Sequence, residues 1–203
     1  MIYTLTLNPA VDRELTVPAI EYDTVLRAAH SQVDFGGKGF NVSRLLQRRG
    51  AHTLLDTNGE PLRLGCQAGP FLVKPNLEEA RSLTGMALGS PAEIARAAVA
   101  IHQTGVENVV ISMGKDGALL LAQEAAWRVC SPPIVERNPI GAGDSMVGGL
   151  VYGLTQELSL REALGWGVAS GAATASLSGT QVGSRPQIEA LVAQIRYEMV
   201  RFV

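Results

Sequence analysis

The sequence predicts an α/β fold in which a mainly parallel sheet carries helices on both faces, and three observations lead there. Short apolar, β-rich runs alternate along the chain with longer segments of helical period, the order that builds βαβ units. Two glycine-rich turns, Gly36-Gly37-Lys38-Gly39 and Gly141-Ala142-Gly143, open straight into apolar helices. Hydrophobic residues make up 46% of the 203 and charged residues 18%, which excludes a disordered chain and supplies the core of a single domain.

The elements follow in order. Residues 2–7 alternate and are β-rich, and Asn8-Pro9 stops them, so a strand ends in a loop that presents Asp12. Residues 15–35 are weakly patterned and predict short strands and turns. Phe40, Val42, Leu45 and Leu46 share the apolar face of a helix whose end falls within residues 45–50. Residues 53–56 predict a strand closed by the Asn58-Gly59 turn, and residues 71–73 another, cut by Pro75. Helices are expected over 76–83 and 91–103, the second with Ser90 as cap and Pro91 in its first turn. Residues 108–111 and 118–121 are apolar runs joined by a glycine-bearing turn, which predicts a hairpin. The last third predicts helices over 142–154, 160–177 and 187–202. No internal repeat or low-complexity linker interrupts this order.

Several function classes drop out on composition. Net charge is -2 and the basic residues are scattered, so no concentrated basic face offers itself to nucleic acid. Arg44, Arg48 and Arg49 read as a solvated helix face. Cys66 and Cys130 lie far apart without a CxxC pair, as expected of reduced, half-buried thiols in a cytosolic protein. His30, His52 and His102 are isolated, which argues against a zinc site. Residues 1–8 lack the pattern of a signal peptide, and the Gly-, Ser- and Ala-rich stretch 163–177 is too short to span a bilayer. The expectation is a cytoplasmic protein with no membrane partner.

Four segments carry candidate chemistry. In Asn138-Pro139-Ile140-Gly141-Ala142-Gly143-Asp144-Ser145, two glycines at a helix start leave backbone N–H groups bare where the helix dipole is positive, a ready anion site. Asp144 in that first turn could take a proton from an attacking hydroxyl while the amides hold a phosphoryl group. An ordinary Gly-rich turn with Asp144 as capping residue is the alternative. In Gly36-Gly37-Lys38-Gly39-Phe40-Asn41, glycines permit close backbone approach, Lys38 offers a point charge, and Asn41 a donor and an acceptor. Gly39 after the lysine excludes a Walker A loop. In Lys74-Pro75-Asn76-Leu77-Glu78-Glu79, Asn76 and Glu79 share a helix face and offer oxygens suited to magnesium, or simply cap a helix. Ser112-Met113-Gly114-Lys115-Asp116-Gly117 is a phosphate-binding turn or only a hairpin turn.

In this order the four segments resemble the ribokinase/PfkB family of carbohydrate kinases. Residues 36–41 look like its first glycine motif, Asn76 to Glu79 its Asn-x-x-Glu motif, Ser112 to Gly117 its nucleotide-phosphate turn, and Gly141 to Asp144 its Gly-Ala-Gly-Asp anion hole and base. The opening Thr6-Leu7-Asn8-Pro9-Ala10-Val11-Asp12 is similar to the branch that contains 1-phosphofructokinase and tagatose-6-phosphate kinase. The resemblance implies a ribokinase-like three-layer sandwich that transfers a phosphoryl group from Mg-ATP to a sugar phosphate. It implies Asp144 as catalytic base, with Gly141, Ala142 and Gly143 stabilising the transferring group. Asp12, Gly37, Lys38 and Asn41 would bind the sugar phosphate, and Lys74, Asn76, Ser112, Gly114 and Gly117 the nucleotide. Asn76 and Glu79 would organise Mg²⁺ through waters. Fructose 1-phosphate is the expected acceptor, with tagatose 6-phosphate as the alternative.

The resemblance also implies a departure. Family members are longer, and their extra length is internal. Residues 53–60 are similar to a family segment that lies far downstream, so the expectation is a single domain over 1–203 with an internal gap near residues 50–52. Part of the sheet and half of the small β-lid would then be missing, and the apolar surface left open would favour a homodimer. A truncated relative that binds nucleotide or sugar phosphate without turnover is the second class of function that this allows.

Overall fold

A computed structural model of the chain describes residues 3–6, 10–16, 30–36, 48, 50–122 and 125–201. Among these, β1 (Tyr3–Thr6), β4 (His52–Leu55), β5 (Leu72–Val73), β6 (Asn108–Ser112), β7 (Ala118–Ala122), β8 (Ala125–Cys130) and β9 (Arg196–Val200) form a seven-stranded sheet in the order β1-β4-β5-β6-β7-β8-β9. The ladders from β1 to β6 are parallel and those from β6 to β9 antiparallel, so five strands (β1, β4, β5, β6, β8) run one way and two run back. The sheet is mainly parallel, as expected. Separately, β2 (Ala10–Thr16) and β3 (His30–Gly36) form a two-stranded antiparallel ribbon; β3 falls where short strands were expected, whereas β2 corrects the expected loop around Asp12, which pairs as a strand residue.

Strand side chains alternate between two cores, because successive residues of a strand point to opposite faces. Leu55, Val73, Val109, Ile111 and Leu119 face one core, with Leu62 and Cys66 of α1 (Gly59–Gln67), Ala80 of α2 (Leu77–Thr84), and Ile94, Ala98 and Ile101 of α3 (Pro91–His102). Leu54, Leu72, Val110 and Leu120 face the other, with Met146 and Leu150 of α4 (Ala142–Thr155) and Leu164 and Val168 of α5 (Leu160–Ala175). This is the three-layer sandwich. The Gly- and Ala-rich composition of α5 is a packing device: a Cβ at Gly153 of α4 would fall 2.6 Å from the Ala163 Cα, so the two helices approach backbone to backbone. No helix among the described residues is long and apolar enough to cross a membrane.

Three local expectations need correction. The chain over 187–202 is not one helix: α6 (Arg185–Val192) ends, and β9 follows as the exposed edge strand beside β8. Tyr197 packs on one core and Val200 on the other, and Arg128 pairs with Glu198 across the ladder at 3.6 Å. Asn58-Gly59 is not a free-standing turn after the strand but starts α1, with Asn58 as extended N-cap and Pro61 in the first turn. Cys66 and Cys130 are free thiols as expected, yet buried rather than half-buried. The 108–121 hairpin and the helices over 76–83, 91–103, 142–154 and 160–177 appear within two residues of their expected ends.

Candidate active site

The site lies beyond the carboxyl ends of the parallel strands, where open α/β sheets present loops and helix N-termini to ligands. Register places it. Leu55 of β4 pairs with Val73 of β5, so the next residues, Asp56 and Lys74, emerge side by side, and the Lys74 N–H donates to the Leu55 carbonyl at 3.0 Å. Asn76 bridges to Ser112 at the end of β6, and the Ser112 N–H donates to the Pro75 carbonyl at 2.9 Å. A single 3₁₀ turn, Gly114–Asp116, then reverses the chain into β7.

The N-terminus of α4 stands against these strand ends. Gly141 is its cap, at φ 79°, a left-handed conformation that glycine takes without a Cβ penalty. The Ala142 N–H donates to the Pro139 carbonyl at 3.1 Å, while the Gly141 and Gly143 amides have no hydrogen bond among the described residues. Two of the three expected amides are therefore open to an anion; that of Ala142 is occupied. Asp144, three residues after the cap, is exposed, and no side chain caps the helix. Asp144 makes no side-chain cap hydrogen bond among the described residues, which leaves to the capping alternative only its favourable charge in the first turn.

Lys74 supplies a cation beneath this helix start. Its Nζ lies 3.1 Å from Asp56 Oδ1, in a pair whose side chains are 7% and 17% exposed. A Cβ added at Gly143 would sit 3.9 Å from the same Nζ. Burial raises the Asp56 carboxyl above its ordinary value; Lys74 opposes this and the nearby Asp144 charge adds to it. Asp56, Lys74, Gly143 and Asp144 therefore form one electrostatic cluster. An ammonium, two open amides and an exposed carboxylate can hold an anion and accept a proton beside it.

A cleft of about 390 Å³ runs from this cluster along the strand ends, lined by Asn76, Ser112, Gly114 and Lys115 on the strand side and by Ala142, Gly143 and Ala172 on the helix side. Its size falls in the range of small-molecule sites. Of the residues singled out in the sequence, Asn76, Ser112, Gly114, Ala142 and Gly143 line this cleft, while Lys74, Gly141 and Asp144 belong to the cluster at the start of α4 and are not part of the lining. Gly117 is not in the cleft lining; a Cβ there would strike the Val129 carbonyl and approach the Ser131 amide nitrogen to 2.7 Å, so its φ of 93° accompanies a close approach to the end of β8. Glu79 is not in the cleft lining either. With Asn76 it forms a reciprocal cap, the Asn76 N–H donating to Glu79 Oε2 at 2.8 Å and the Glu79 N–H to Asn76 Oδ1 at 2.9 Å. It borders a neighbouring polar cleft that also takes in Asn58, Glu60 and Asn76.

Asp12 lies in β2, paired in register with Asp34 of β3. Gly37, Lys38 and Asn41 lie outside the described residues. Asp56, beside Lys74, was missed by sequence reasoning as a site residue, and so was the loop carrying Ser131, Ile134 and Glu136, which also line the cleft. A usable signal for Asp56 existed: like Lys74, it stands one residue past an apolar run of a parallel strand.

Comparison with known proteins decides the family. The model of the pfkB family carbohydrate kinases matches residues 52–188, about two thirds of the chain. The chain belongs to the pfkB family. The 1-phosphofructokinase of Escherichia coli K12 is 38% identical over 143 residues, 70% of this chain and 46% of that protein. That of Bacillus subtilis 168 is 34% identical over 155 residues, 76% of this chain and 50% of that protein. The chain spans about half the length of the curated relatives it matches. Phosphofructokinase-2 of Escherichia coli, solved in complex with potassium, superposes with a TM-score of 0.71 at 23% identity over 95% of this chain and 98% of that one. Arabidopsis thaliana ribokinase, solved with ribose and ATP, superposes with a TM-score of 0.69 at 23% identity over 77% of this chain and 53% of that one. At that identity the superpositions show the ribokinase-like fold.

Proposed function

We propose that this pfkB chain transfers the γ-phosphoryl group of ATP to a hydroxyl of a sugar phosphate, with fructose 1-phosphate as acceptor. The observation that carries the reading is the start of α4, where the open Gly141 and Gly143 amides and the Lys74 ammonium converge beside the exposed Asp144. Phosphoryl transfer asks little covalent chemistry of a protein; it asks for positioning and for positive potential around the transferring group. Asp144 accepts the hydroxyl proton. The Gly141 and Gly143 amides and Lys74 face the phosphoryl charge. The cleft past Asn76, Ser112 and Gly114 takes the rest of the nucleotide.

Asn76 and Glu79 would hold magnesium through waters, and the ion would supply positive charge to the nucleotide phosphates. The donor set fits a hold through waters. Asn76 Oδ1 and one Glu79 oxygen are engaged in the cap, which leaves the other Glu79 oxygen and the net charge of the carboxylate. Asp12, Gly37, Lys38 and Asn41 orient the sugar phosphate in this reading. The name 1-phosphofructokinase, carried by several relatives at 34–38% identity though not by all in that range, favours fructose 1-phosphate over tagatose 6-phosphate. A single domain with an internal gap near residues 50–52 is part of the proposal; the family match that begins at residue 52 supports it. So is a homodimer, since β1 stands at the sheet edge and Ile140 and Val182 are 69% and 71% exposed.

A second reading rests on the half-length match: a relative that binds nucleotide with little turnover, its sugar side open to water. ADP release measured over a panel of sugar phosphates separates the two. Release that depends on fructose 1-phosphate is the expected result. ATP binding with no acceptor-dependent release would support the second reading and overturn the first.

A further inference from the structure

The pair Lys74–Asp56 does more than the site description has used. A lysine head on a four-carbon stem has no fixed place of its own, so a partner must define one. Asp56 is short, stands at the end of β4, and is held beside Lys74 by the Leu55–Val73 register and the Lys74 N–H bond to the Leu55 carbonyl. Lys74 is 6% exposed, and Asp56 is its ion-pair partner among the described residues. Buried pairs are weak sources of stability, because desolvation offsets attraction, so the presence of one calls for another reason. The reason is location. Nζ sits where it is both 3.1 Å from Asp56 and within contact of the Gly143 position, next to the open amides of α4.

We propose that Asp56 is a positioning residue: it fixes the Lys74 ammonium beneath the Gly141–Gly143 turn, so that ammonium and amides face the same phosphoryl group. The role also balances charge. Asp144 and Asp56 are close enough to feel one another, and Lys74 lets both stay in one site. The proposal rests on the kinase reading of this site. Asp56 itself touches neither phosphate nor acceptor; it acts through Lys74.

The test compares Asp56→Ala, Lys74→Met and the double variant with the wild-type chain. Three measurements are made: turnover of ATP with fructose 1-phosphate, calorimetric affinity for ATP and for AMP, and thermal unfolding. Asp56→Ala is expected to lower kcat by about 10- to 100-fold, as for misplaced catalytic groups, with a smaller change in KM for the sugar phosphate. It should also lower the preference for ATP over AMP by about tenfold, the worth of a charge-assisted phosphate contact. The double variant, which leaves no unpaired buried charge, should regain thermal stability yet match Lys74→Met in kcat. Recovery of kcat together with stability would overturn the proposal, since the pair would then be purely structural. So would wild-type kcat and ATP preference in Asp56→Ala, or a double variant well below Lys74→Met, which would mean that Asp56 acts independently. Should Asp56→Ala not fold, the comparison of the double variant with Lys74→Met decides alone. A wild-type chain that binds ATP but transfers nothing would overturn the kinase reading instead, and the ATP-to-AMP ratio would still report on Asp56.

Discussion

Glu79 has one role in the structure and a second in the proposed function. Its Oε2 accepts the Asn76 N–H at 2.8 Å, completing a capping box that starts α2. In the proposed function its remaining charge would help hold magnesium through waters. Glutamine can complete the same box, so Glu79→Gln removes charge and little else. Thermal stability should change by less than about 0.5 kcal/mol, as for an uncritical surface substitution, while the magnesium concentration needed for half-maximal turnover rises. A magnesium titration at saturating sugar phosphate reads this; an unmoved curve would leave Glu79 a helix cap only.

Cys66 makes a different kind of statement at the same scale. Burial under α1 pushes its thiol up to about 11 from an ordinary 9.0. Folded-state pKa above the unfolded value means that the neutral thiol's contribution is fully present below pH 9. It is lost as the pH rises toward 11, because the unfolded chain ionises first. The loss across that window is roughly 2–3 kcal/mol. Urea midpoints below 9 and near 11 should fall more steeply for the wild type than for Cys66→Ala, and equal slopes would contradict the assignment. Below pH 9 the native thiol should resist alkylation.

Elements rather than single residues determine whether the cleft exists. The hairpin between β6 and β7 is held by two glycines with different reasons. Gly114, at φ 57°, has open space where a Cβ would go, whereas at Gly117 a Cβ meets the backbone of Val129 and Ser131. Gly114→Ala should therefore cost about 1 kcal/mol, the left-handed penalty alone. Gly117→Ala should cost at least about 2–3 kcal/mol, because β8 has to move as well. Denaturant unfolding of both variants tests the order; equal costs would mean that the β7–β8 junction yields freely.

The same elements show what periodicity can reveal. The hairpin and α3 were legible because their apolar runs are long and their caps are explicit: Ser90 accepts the Glu93 N–H at 3.3 Å with Pro91 beside it. Strand β9 was not, since Arg196-Tyr197-Glu198-Met199-Val200 follows α6 after three residues and its alternation is too short to break a helical count. Helix α1 was hidden by Asn58-Gly59, a dipeptide that marks a turn and a helix cap equally well. In the site, Asp144 could be read from its glycines, because the bare amides and the carboxylate are neighbours in sequence. Asp56 could not: its meaning depends on the β4–β5 register, which brings it to Lys74 across 18 positions of chain.

At the scale of the molecule, one face of the sheet supports α1, α2 and α3 and the other α4 and α5; α4 starts at the cleft, whereas α5 ends there, with Ala172 and Ala175 in the lining. The pfkB family match covers the part of the chain that builds this arrangement, residues 52–188. In the proposed function the sugar side would fall on Asp12 of β2 and on Gly37, Lys38 and Asn41, so the substrate half and the nucleotide half would fail separately. The measurement that bears most directly on the account is the comparison of the wild type with Asp144→Asn in two assays, fructose 1-phosphate-dependent ADP release and calorimetric ATP binding. Asparagine keeps the shape and the helix start but cannot accept the proton. ADP release is expected to fall by about 10²–10⁴, the usual cost of losing a general base, while ATP affinity stays within about threefold. Near wild-type release by Asp144→Asn would contradict the account.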